Sequence, residues 1–125
     1  MTRFTLYGSP HSLPTYKVAL MLRLSSEPFS FRYVSFQKGM HRAPAFLALS
    51  RWGQVPVLVD EGRVHLQSAA IVEHLAETLG RFRGADMATR QSIREWLYWV
   101  SMSCLRRSSA VTLSSSDSEN CCRSM

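Results

Sequence analysis

The chain has 125 residues, 46% of them hydrophobic, which suits one domain with a buried core, or one domain and part of a second. Its formal net charge of +6 comes mostly from scattered arginines, of which only Arg106 and Arg107 are adjacent, so we do not expect nucleic acid as a partner. No segment reaches the roughly 18 consecutive apolar residues of a membrane span, and the amino terminus lacks the apolar run of a signal peptide, so we expect no membrane partner.

The first half of the chain alternates strand and helix patterns. Residues 3–8 alternate apolar and polar side chains before a Gly-Ser-Pro sequence, which predicts a strand. Residues 13–25 carry apolar side chains at helical spacing and predict a helix. Residues 29–36 alternate aromatic and polar side chains and predict a second strand, and residues 43–50 predict a short helix.

A hairpin and a third helix follow. Residues 55–60 and 63–67 are apolar strands joined by a turn that contains Gly62, a connection typical of a β-hairpin. The next residues have the periodicity of a helix, with Ser68 as the predicted N-cap and Gly80 as the predicted C-terminal stop.

The element order predicts an α/β sandwich of the form βαβαββα over residues 1–82, with a mixed sheet whose hairpin is the antiparallel edge. Residues 85–102 repeat apolar side chains every three or four positions and predict one more helix, which Asp86 would cap. The serine-rich residues 103–125 show no sustained periodicity, and we expect them to be disordered.

The cysteines and histidines argue against redox and metal chemistry. Three cysteines without a Cys-x-x-Cys motif favour neither a disulfide framework, nor a zinc site, nor a dithiol centre. No group of histidines and carboxylates has metal-ligand spacing, so we interpret His11, His65 and His74 as residues of a loop, a strand and a helix. We therefore expect a cytoplasmic protein without a metal.

Three short motifs resemble a known family. Val55-Pro56 opens the third predicted strand, Gln67-Ser68 opens the third helix with Ala-Ile one residue on, and a serine follows the first strand. In this element order, the motifs resemble the amino-terminal, thioredoxin-like domain of the glutathione S-transferases, of the theta-like or bacterial serine type, over residues 1 to about 100. The resemblance implies transfer of the sulfur of glutathione, the co-substrate, to small electrophiles.

The resemblance also implies two halves of a glutathione site. In the family, the peptide bond before the proline that matches Pro56 is cis, which lets the backbone of Val55 pair with the cysteinyl residue of glutathione as an added strand. Gln67, Ser68 and Ala69 match the residues that hold the γ-glutamyl carboxylate, because free N–H groups and the dipole of a helix N-terminus favour an anion. Taken alone, Ser68 would be interpreted as an N-cap with nothing bound, and only its spacing from Val55-Pro56 favours a ligand site.

The thiol of glutathione needs a hydrogen-bond donor, because its ordinary pKa of about 8.5 leaves it mostly protonated at neutral pH. Ser12 lies where serine-type members of the family place this hydroxyl, and it is the predicted catalytic residue. Ser9, at the end of the strand, is the second choice, and Tyr7 and Thr15 are weaker alternatives. The loop holds no cysteine, so we do not expect disulfide exchange by a protein thiol.

The glycine end of the tripeptide has its own candidates. Lys38 and His41 match positions that contact the glycine carboxylate in theta-like members, and Gln54 is expected to add a polar contact nearby. A solvated basic loop is the alternative interpretation of Lys38 and His41. Trp52 is expected to pack.

Family members usually continue into an all-helical domain that supplies most of the electrophile pocket and much of a homodimer interface. Only its first helix is predicted here, so the chain resembles a truncated product, and Trp96 and Leu97 should be partly bare and favour association. Two functions therefore remain open. One is a dimeric transferase, and the other is a non-catalytic glutathione-binding or protein-interaction module with the same fold.

Overall fold

The computed structural model describes the backbone of residues 2–110 and the side chains of residues 2–103. The elements in this part of the chain are strands β1 (Phe4–Gly8), β2 (Phe29–Tyr33), β3 (Val57–Asp60) and β4 (Arg63–Leu66), helices α1 (Leu13–Leu24), α2 (Pro44–Leu47), α3 (Ser68–Leu79) and α4 (Met87–Ala110), and a 3₁₀ turn (Met40–Arg42) before α2. The predicted α/β class and the predicted order of elements are confirmed. None of the described helices has the combination of length and apolar character that spanning a membrane requires.

The sheet is mixed, with the strand order β2-β1-β3-β4. β1 pairs with β2 in parallel, because α1 carries the chain back across the sheet, and with β3 in antiparallel register. β3 and β4 form a hairpin whose two loop residues, Glu61 and Gly62, both have positive φ (47° and 84°). Two consecutive positive φ values are typical of the type I′ turn, whose twist matches the strands that it joins.

Each face of the sheet is covered by helices. Side chains that alternate along β1 and β3 point to one face, where they pack against α1 and α3. The buried cluster on this face consists of Phe4, Leu6, Val18, Met21, Leu22, Leu58, Ile71, Leu75 and Ala76. On the opposite face, Val34, Val57 and Phe46 of α2 form a smaller cluster, in which the rings of Tyr7 and Phe46 lie 6.4 Å apart. The sheet is therefore held between two apolar layers.

Two elements between β1 and β3 are shorter than predicted. β2 ends at Tyr33, because the chain turns at residues 35–40, where the amide of Met40 donates to the carbonyl of Ser35 at 3.0 Å. α2 has only four residues, and a further turn follows it in which the amide of Gly53 donates to the carbonyl of Ser50. These turns bring the segment before Val55 back to the sheet.

The ends of α3 differ in how well they were predicted. Gly80 adopts φ 64° and ends the helix as expected. Ser68 is not the N-cap that the sequence suggested. It is the first helical residue, and Gln67 takes the cap position with φ 70° and no side-chain cap bond. The positive φ of Gln67 turns the chain directly from β4 into the helix, so helical dihedral angles begin one residue earlier than predicted.

The fourth helix begins as expected and is longer than predicted. Asp86 accepts a hydrogen bond from the amide of Thr89 at 2.7 Å and so caps α4. The helix continues to Ala110, past the predicted end at residue 102, because serines fit within it: the hydroxyls of Ser101 and Ser103 donate to carbonyls four residues earlier. The rest of the segment expected to be disordered, residues 111–125, lies outside the described residues.

Candidate functional site

The register of the sheet gathers three chain segments at one end. Tyr7, near the end of β1, pairs with Val57 at the start of β3, and Val57 also pairs with Leu66 at the end of β4. The β1–α1 turn, the residues that precede β3 and the residues that follow β4 therefore meet at the same edge. Ser12, Val55 and Gln67 belong to these three segments.

Ser12 is held at the start of α1 by its own backbone and side chain. It is the N-cap of the helix, where its Oγ accepts a hydrogen bond from the amide of Thr15 at 3.3 Å and its amide donates to the carbonyl of Ser9 at 3.0 Å. The side chain is half-buried. Because the oxygen serves as the cap acceptor, the hydroxyl proton is available to donate to another group.

The alternatives to Ser12 are more enclosed. Ser9 is only 5% exposed, and its Oγ faces the amide of His11 at 3.4 Å. Thr15 is buried, and its Oγ1 accepts from the amide of Ser9. Tyr7 packs on the α2 face of the sheet, beside Phe46. Among the four candidate hydroxyls, Ser12 combines the helix N-terminus with access to solvent.

The Val55–Pro56 peptide bond is cis, as the resemblance implied. Gln54, the residue before Val55, forms two hydrogen bonds with the buried Ser50. The Oγ of Ser50 donates to the carbonyl of Gln54 at 3.0 Å and accepts from its amide at 3.1 Å. Within the described part of the chain, the backbone N–H and C=O of Val55 have no hydrogen-bond partner. Both groups are therefore free to pair with a peptide.

The N-terminus of α3 lies beside this segment. Nε2 of Gln67 donates to Oε1 of Gln54 at 3.4 Å, which links the residue before Val55 to the start of the helix. Ser68 and Ala69 form the first turn and are largely buried. Ser68 Oγ has no hydrogen-bond partner among the described side chains, so it can accept or donate a bond to a ligand at the helix N-terminus.

His41 approaches the same edge through its backbone. Gly53 has φ 61°, and a Cβ atom there would lie 2.7 Å from the carbonyl oxygen of His41, so this close approach depends on glycine. The His41 ring packs against Phe36, and its Nδ1 is buried without a partner in the described residues. Lys38 is exposed in the preceding turn, where its amide donates to Ser35 Oγ.

Two cavities flank this edge. One of about 360 Å³ lies beside β4 and is bounded in part by Gln67, and its wall includes the exposed Trp52, which the sequence analysis expected to pack. The other, of about 600 Å³, lies between β2 and α2 and is bounded in part by Tyr7. Of the predicted glutathione residues, Gln67 borders the first cavity, and the others lie outside the linings of both.

Comparison with known proteins identifies the family. The sequence model described as "Glutathione S-transferase, N-terminal domain" matches residues 11–78, more than half of the chain. The chain belongs to the glutathione S-transferase family. This confirms the resemblance on which the predicted site residues depend.

Individual members of the glutathione S-transferase family show how much of the fold is shared. Glutathione S-transferase 3 of Zea mays is 34% identical over 101 residues, which cover 78% of this chain and 45% of the relative. The transcriptional regulator URE2 of Saccharomyces cerevisiae is 29% identical over 105 residues, covering 77% of this chain and 30% of the relative. A solved structure of Ure2p in complex with glutathione has a TM-score of 0.72 and 27% identity, and covers 78% of this chain and 44% of that one. The chain therefore spans less than half the length of these relatives.

The glutathione S-transferase fold of this chain also carries a polar cluster that the sequence analysis missed. Asp60 at the end of β3 contacts Arg3 and His74, and His65 stacks on His74 with ring centroids 3.9 Å apart. The guanidinium of Arg3 lowers the pKa of the Asp60 carboxyl, and burial lowers the pKa of His65. These residues had been interpreted separately, because nothing in their spacing along the chain indicates that they meet.

Proposed function

We propose that this chain binds glutathione along the edge of the sheet where Val55 precedes β3 and Gln67 precedes α3. We call this edge the glutathione groove. The observation that carries the proposal is the 3.4 Å contact between Gln54 and Gln67, which sets the unpaired backbone of Val55 beside the N-terminus of α3. A peptide backbone can add to the free N–H and C=O, while a carboxylate is held by the first turn of the helix. The similar Ure2p structure that contains glutathione supports the same ligand here.

Each part of glutathione has a proposed partner. The cysteinyl backbone pairs with Val55 next to Pro56. Ser68 Oγ and the first-turn amides of Ser68 and Ala69, with Gln67 beside them, hold the γ-glutamyl carboxylate, which is favoured by the positive end of the helix dipole. Lys38, His41 and Gln54 hold the glycine carboxylate at the other end of the groove, and this set completes the proposed binding residues. No metal takes part.

Ser12 is the proposed catalytic residue. Its hydroxyl donates to the sulfur of glutathione and stabilises the thiolate. Lowering the thiol pKa by about two units requires roughly 2.7 kcal/mol. A hydrogen bond to a charged group supplies about 1.5–3 kcal/mol, and a helix N-terminus adds about 0.3–1 kcal/mol. One hydroxyl at the start of α1 is therefore sufficient.

The proposed reaction is glutathione transfer in the cytoplasm. The thiol gives its proton to solvent, and the thiolate attacks an electrophilic carbon of a small substrate to form a carbon–sulfur bond. In a substitution, the leaving group departs with the electron pair of its broken bond. In an addition, the electron pair of the activated double bond moves to the neighbouring carbon, which takes a proton from solvent. Because a thiolate becomes less nucleophilic as its pKa falls, with a Brønsted slope of about 0.4–0.5, part of the rate must come from positioning the electrophile. The resemblance implies that the all-helical domain supplies most of this positioning and much of a homodimer interface, so we propose a homodimer as the functional form.

Binding is tested first. The purified chain should be retained on immobilised glutathione and eluted by the free tripeptide. Ser68→Ala should weaken glutathione binding by about tenfold or more, because a hydrogen bond to a carboxylate is lost. Ser103→Ala, on α4 away from the groove, is the matched control and should bind as the unmodified chain does. Flow-through of the folded, unmodified chain would refute the proposal.

Catalysis is tested separately from helix capping. Ser12→Ala removes both the cap acceptor and the hydroxyl donor, whereas Ser12→Asp keeps the acceptor and removes the donor. Both variants should lower the rate of conjugation with a generic aromatic electrophile by about tenfold or more, with the pKa of bound glutathione returning toward about 8.5. If both remain fully active and Ser9→Ala is inactive, the helper is Ser9.

The second candidate is a glutathione-binding or protein-interaction module without turnover. It is favoured by the match to a relative named as a transcriptional regulator and by the short span of the chain relative to its family. Retention on immobilised glutathione without measurable conjugation, in the unmodified chain and in Ser12→Asp alike, would favour this function over transfer.

A further inference from the structure

The end of β3 opposite the glutathione groove carries three potential metal ligands on three elements. Asp60 ends β3, His65 lies on β4 and His74 lies on α3, and one ligand atom from each falls within 4.8 Å of the others. The type I′ turn brings β4 back alongside β3, and the packing of α3 on the sheet places His74 over both strands. The cluster is therefore a product of the tertiary fold.

The protonation states of the cluster suit a cation. Arg3 Nε donates to Asp60 Oδ1 at 2.7 Å, and this bond keeps the buried carboxyl ionised by lowering its pKa. Burial lowers the pKa of His65, which favours the neutral imidazole. A metal ion requires both conditions, because carboxylates and imidazoles bind only in their deprotonated forms.

One nitrogen of the cluster has no partner. Nε2 of His65 is buried and forms no hydrogen bond with any of the described residues. Buried polar atoms are nearly always paired, so this unpaired nitrogen, on a ring that stacks on His74, calls for a ligand. His74 Nε2, in contrast, already lies 2.9 Å from Asp60 Oδ2.

We propose that Asp60, His65 and His74 bind a divalent transition-metal ion, with Zn²⁺ as the representative ion and water at the fourth position. Two imidazoles and one carboxylate match the ligand preference of zinc, whereas Mg²⁺ and Ca²⁺ prefer oxygen ligands. His65 also borders the cavity of about 360 Å³ beside β4, so solvent reaches one of the three ligand residues. This site does not depend on glutathione binding.

Binding requires a small rearrangement of side chains. Zinc bonds of about 2.0–2.1 Å place tetrahedral ligand atoms about 3.3 Å apart, closer than the present spread of the cluster. The His65 and His74 rings, which stack at an interplanar angle of 19°, must tilt so that both ring planes point to the ion. The ion takes the place of the proton between His74 and Asp60. Arg3 donates to both carboxylate oxygens, from Nε to Oδ1 at 2.7 Å and from Nη2 to Oδ2 at 3.2 Å, and so orients the carboxylate, while the ion uses the Oδ2 lone pair that now faces His74.

The test is a titration of the full chain with Zn²⁺ alone, without glutathione, after alkylation of its cysteines. We expect saturation at one equivalent and a rise in the thermal midpoint of unfolding, because the ion binds the folded state. Mg²⁺ should produce neither effect. His65→Phe preserves the ring and the stack but removes the nitrogen, and it should weaken zinc binding by at least about tenfold. His74→Gln should do the same, and His11→Gln, at an exposed histidine in the β1–α1 turn, is the matched control.

The outcomes separate the site from simple packing of two histidines. Saturable zinc binding that is lost in His65→Phe and retained in His11→Gln supports the proposal. Zinc binding that is unchanged in both His65→Phe and His74→Gln overturns it, and so does the absence of saturable binding in the folded chain. Since glutathione is absent throughout, failure here leaves the proposed transferase function untouched, and the retention experiment fails or succeeds independently.

Discussion

Residues 2–80 and helix α4 differ in where their apolar surface goes. In the first region, β1 and β3 are covered on both faces, and Phe4, Leu6 and Leu58 are fully buried. On α4, Trp96 and Trp99 remain 67% and 62% exposed, although the helix contacts α3 through the 2.8 Å ion pair of Arg94 with Glu73. The comparison teaches that the first region carries its own cohesive core, whereas the aromatic face of α4 contributes little to folding of the described residues.

The largest expected effect comes from the core. Leu58→Ala removes a fully buried side chain between α1 and α3, and it should lower the free energy of unfolding by about 2–5 kcal/mol, because a cavity remains. Met102→Ala, on the exposed face of α4, should change it by less than about 0.5 kcal/mol. Urea denaturation followed by circular dichroism measures both, and equal losses would abolish the distinction between the two regions.

The second prediction concerns Gly8→Ala at the turn between β1 and α1, which holds the predicted catalytic Ser12. A Cβ atom at Gly8 would lie 2.7 Å from Thr15 Oγ1 and closer still to its Cγ2, so Gly8→Ala forces Thr15 to move. We expect a loss of about 1–3 kcal/mol of stability, together with weaker glutathione binding, because Thr15 and Ser12 share a hydrogen bond.

The double variant Gly8→Ala with Thr15→Ala is the control for this second prediction. Removal of the opposing methyl and hydroxyl groups should make the combined loss of stability smaller than the sum of the two single losses. Additive losses, measured by the same urea denaturation, would show that the contact between Gly8 and Thr15 is not the cause.

The elements of the first region were predictable because local periodicity and tertiary burial agree there. The alternation along β1 and the helical spacing in α3 both direct apolar residues to the same core, so pattern and packing specify one structure. The length of α4 was not predictable in this way, because its last part is rich in serine and shows no apolar periodicity. Ser101 and Ser103 lie in the helix with their hydroxyls bonded to carbonyls four residues earlier.

Some features of the candidate site were also predictable from the sequence, and others were not. The cis form of the Val55–Pro56 bond was expected only through the family resemblance, because about 5–6% of X-Pro bonds in folded proteins are cis and local sequence does not select that form. The cap role and left-handed φ of Gln67 were missed, because non-glycine residues seldom adopt that conformation and local propensity does not predict it. The meeting of His65 and His74 was missed as well, since it depends on strand register and helix packing together.

The third prediction concerns association rather than folding. Trp96 and Trp99 form an edge-to-face pair with ring centroids 6.0 Å apart on the exposed side of α4. Trp96→Gln with Trp99→Gln should lower stability by less than about 1.5 kcal/mol, the value of an aromatic pair, while reducing self-association at high protein concentration. Light scattering measures the association. Trp52→Gln, at an exposed tryptophan outside α4, is the control and should leave association unchanged.

The smallest expected effect is the pH-dependent cap of α4. The amide of Thr89 donates to the Asp86 carboxylate and lowers the pKa of that carboxyl. Because the folded pKa lies below the unfolded value of about 3.9, the cap contributes fully above that pH and is lost as the pH falls through the folded pKa. Asp86→Ala should therefore lower the helix content at neutral pH, and its difference from the unmodified chain should vanish at strongly acidic pH. Asp86→Asn keeps a cap acceptor that does not titrate, so circular dichroism should find its helix start insensitive to this titration. If Asp86→Asn instead loses helix content at neutral pH as Asp86→Ala does, the hydrogen bond is not what stabilises the start of α4. The negative charge of Asp86, acting on the helix dipole, would then be the cause.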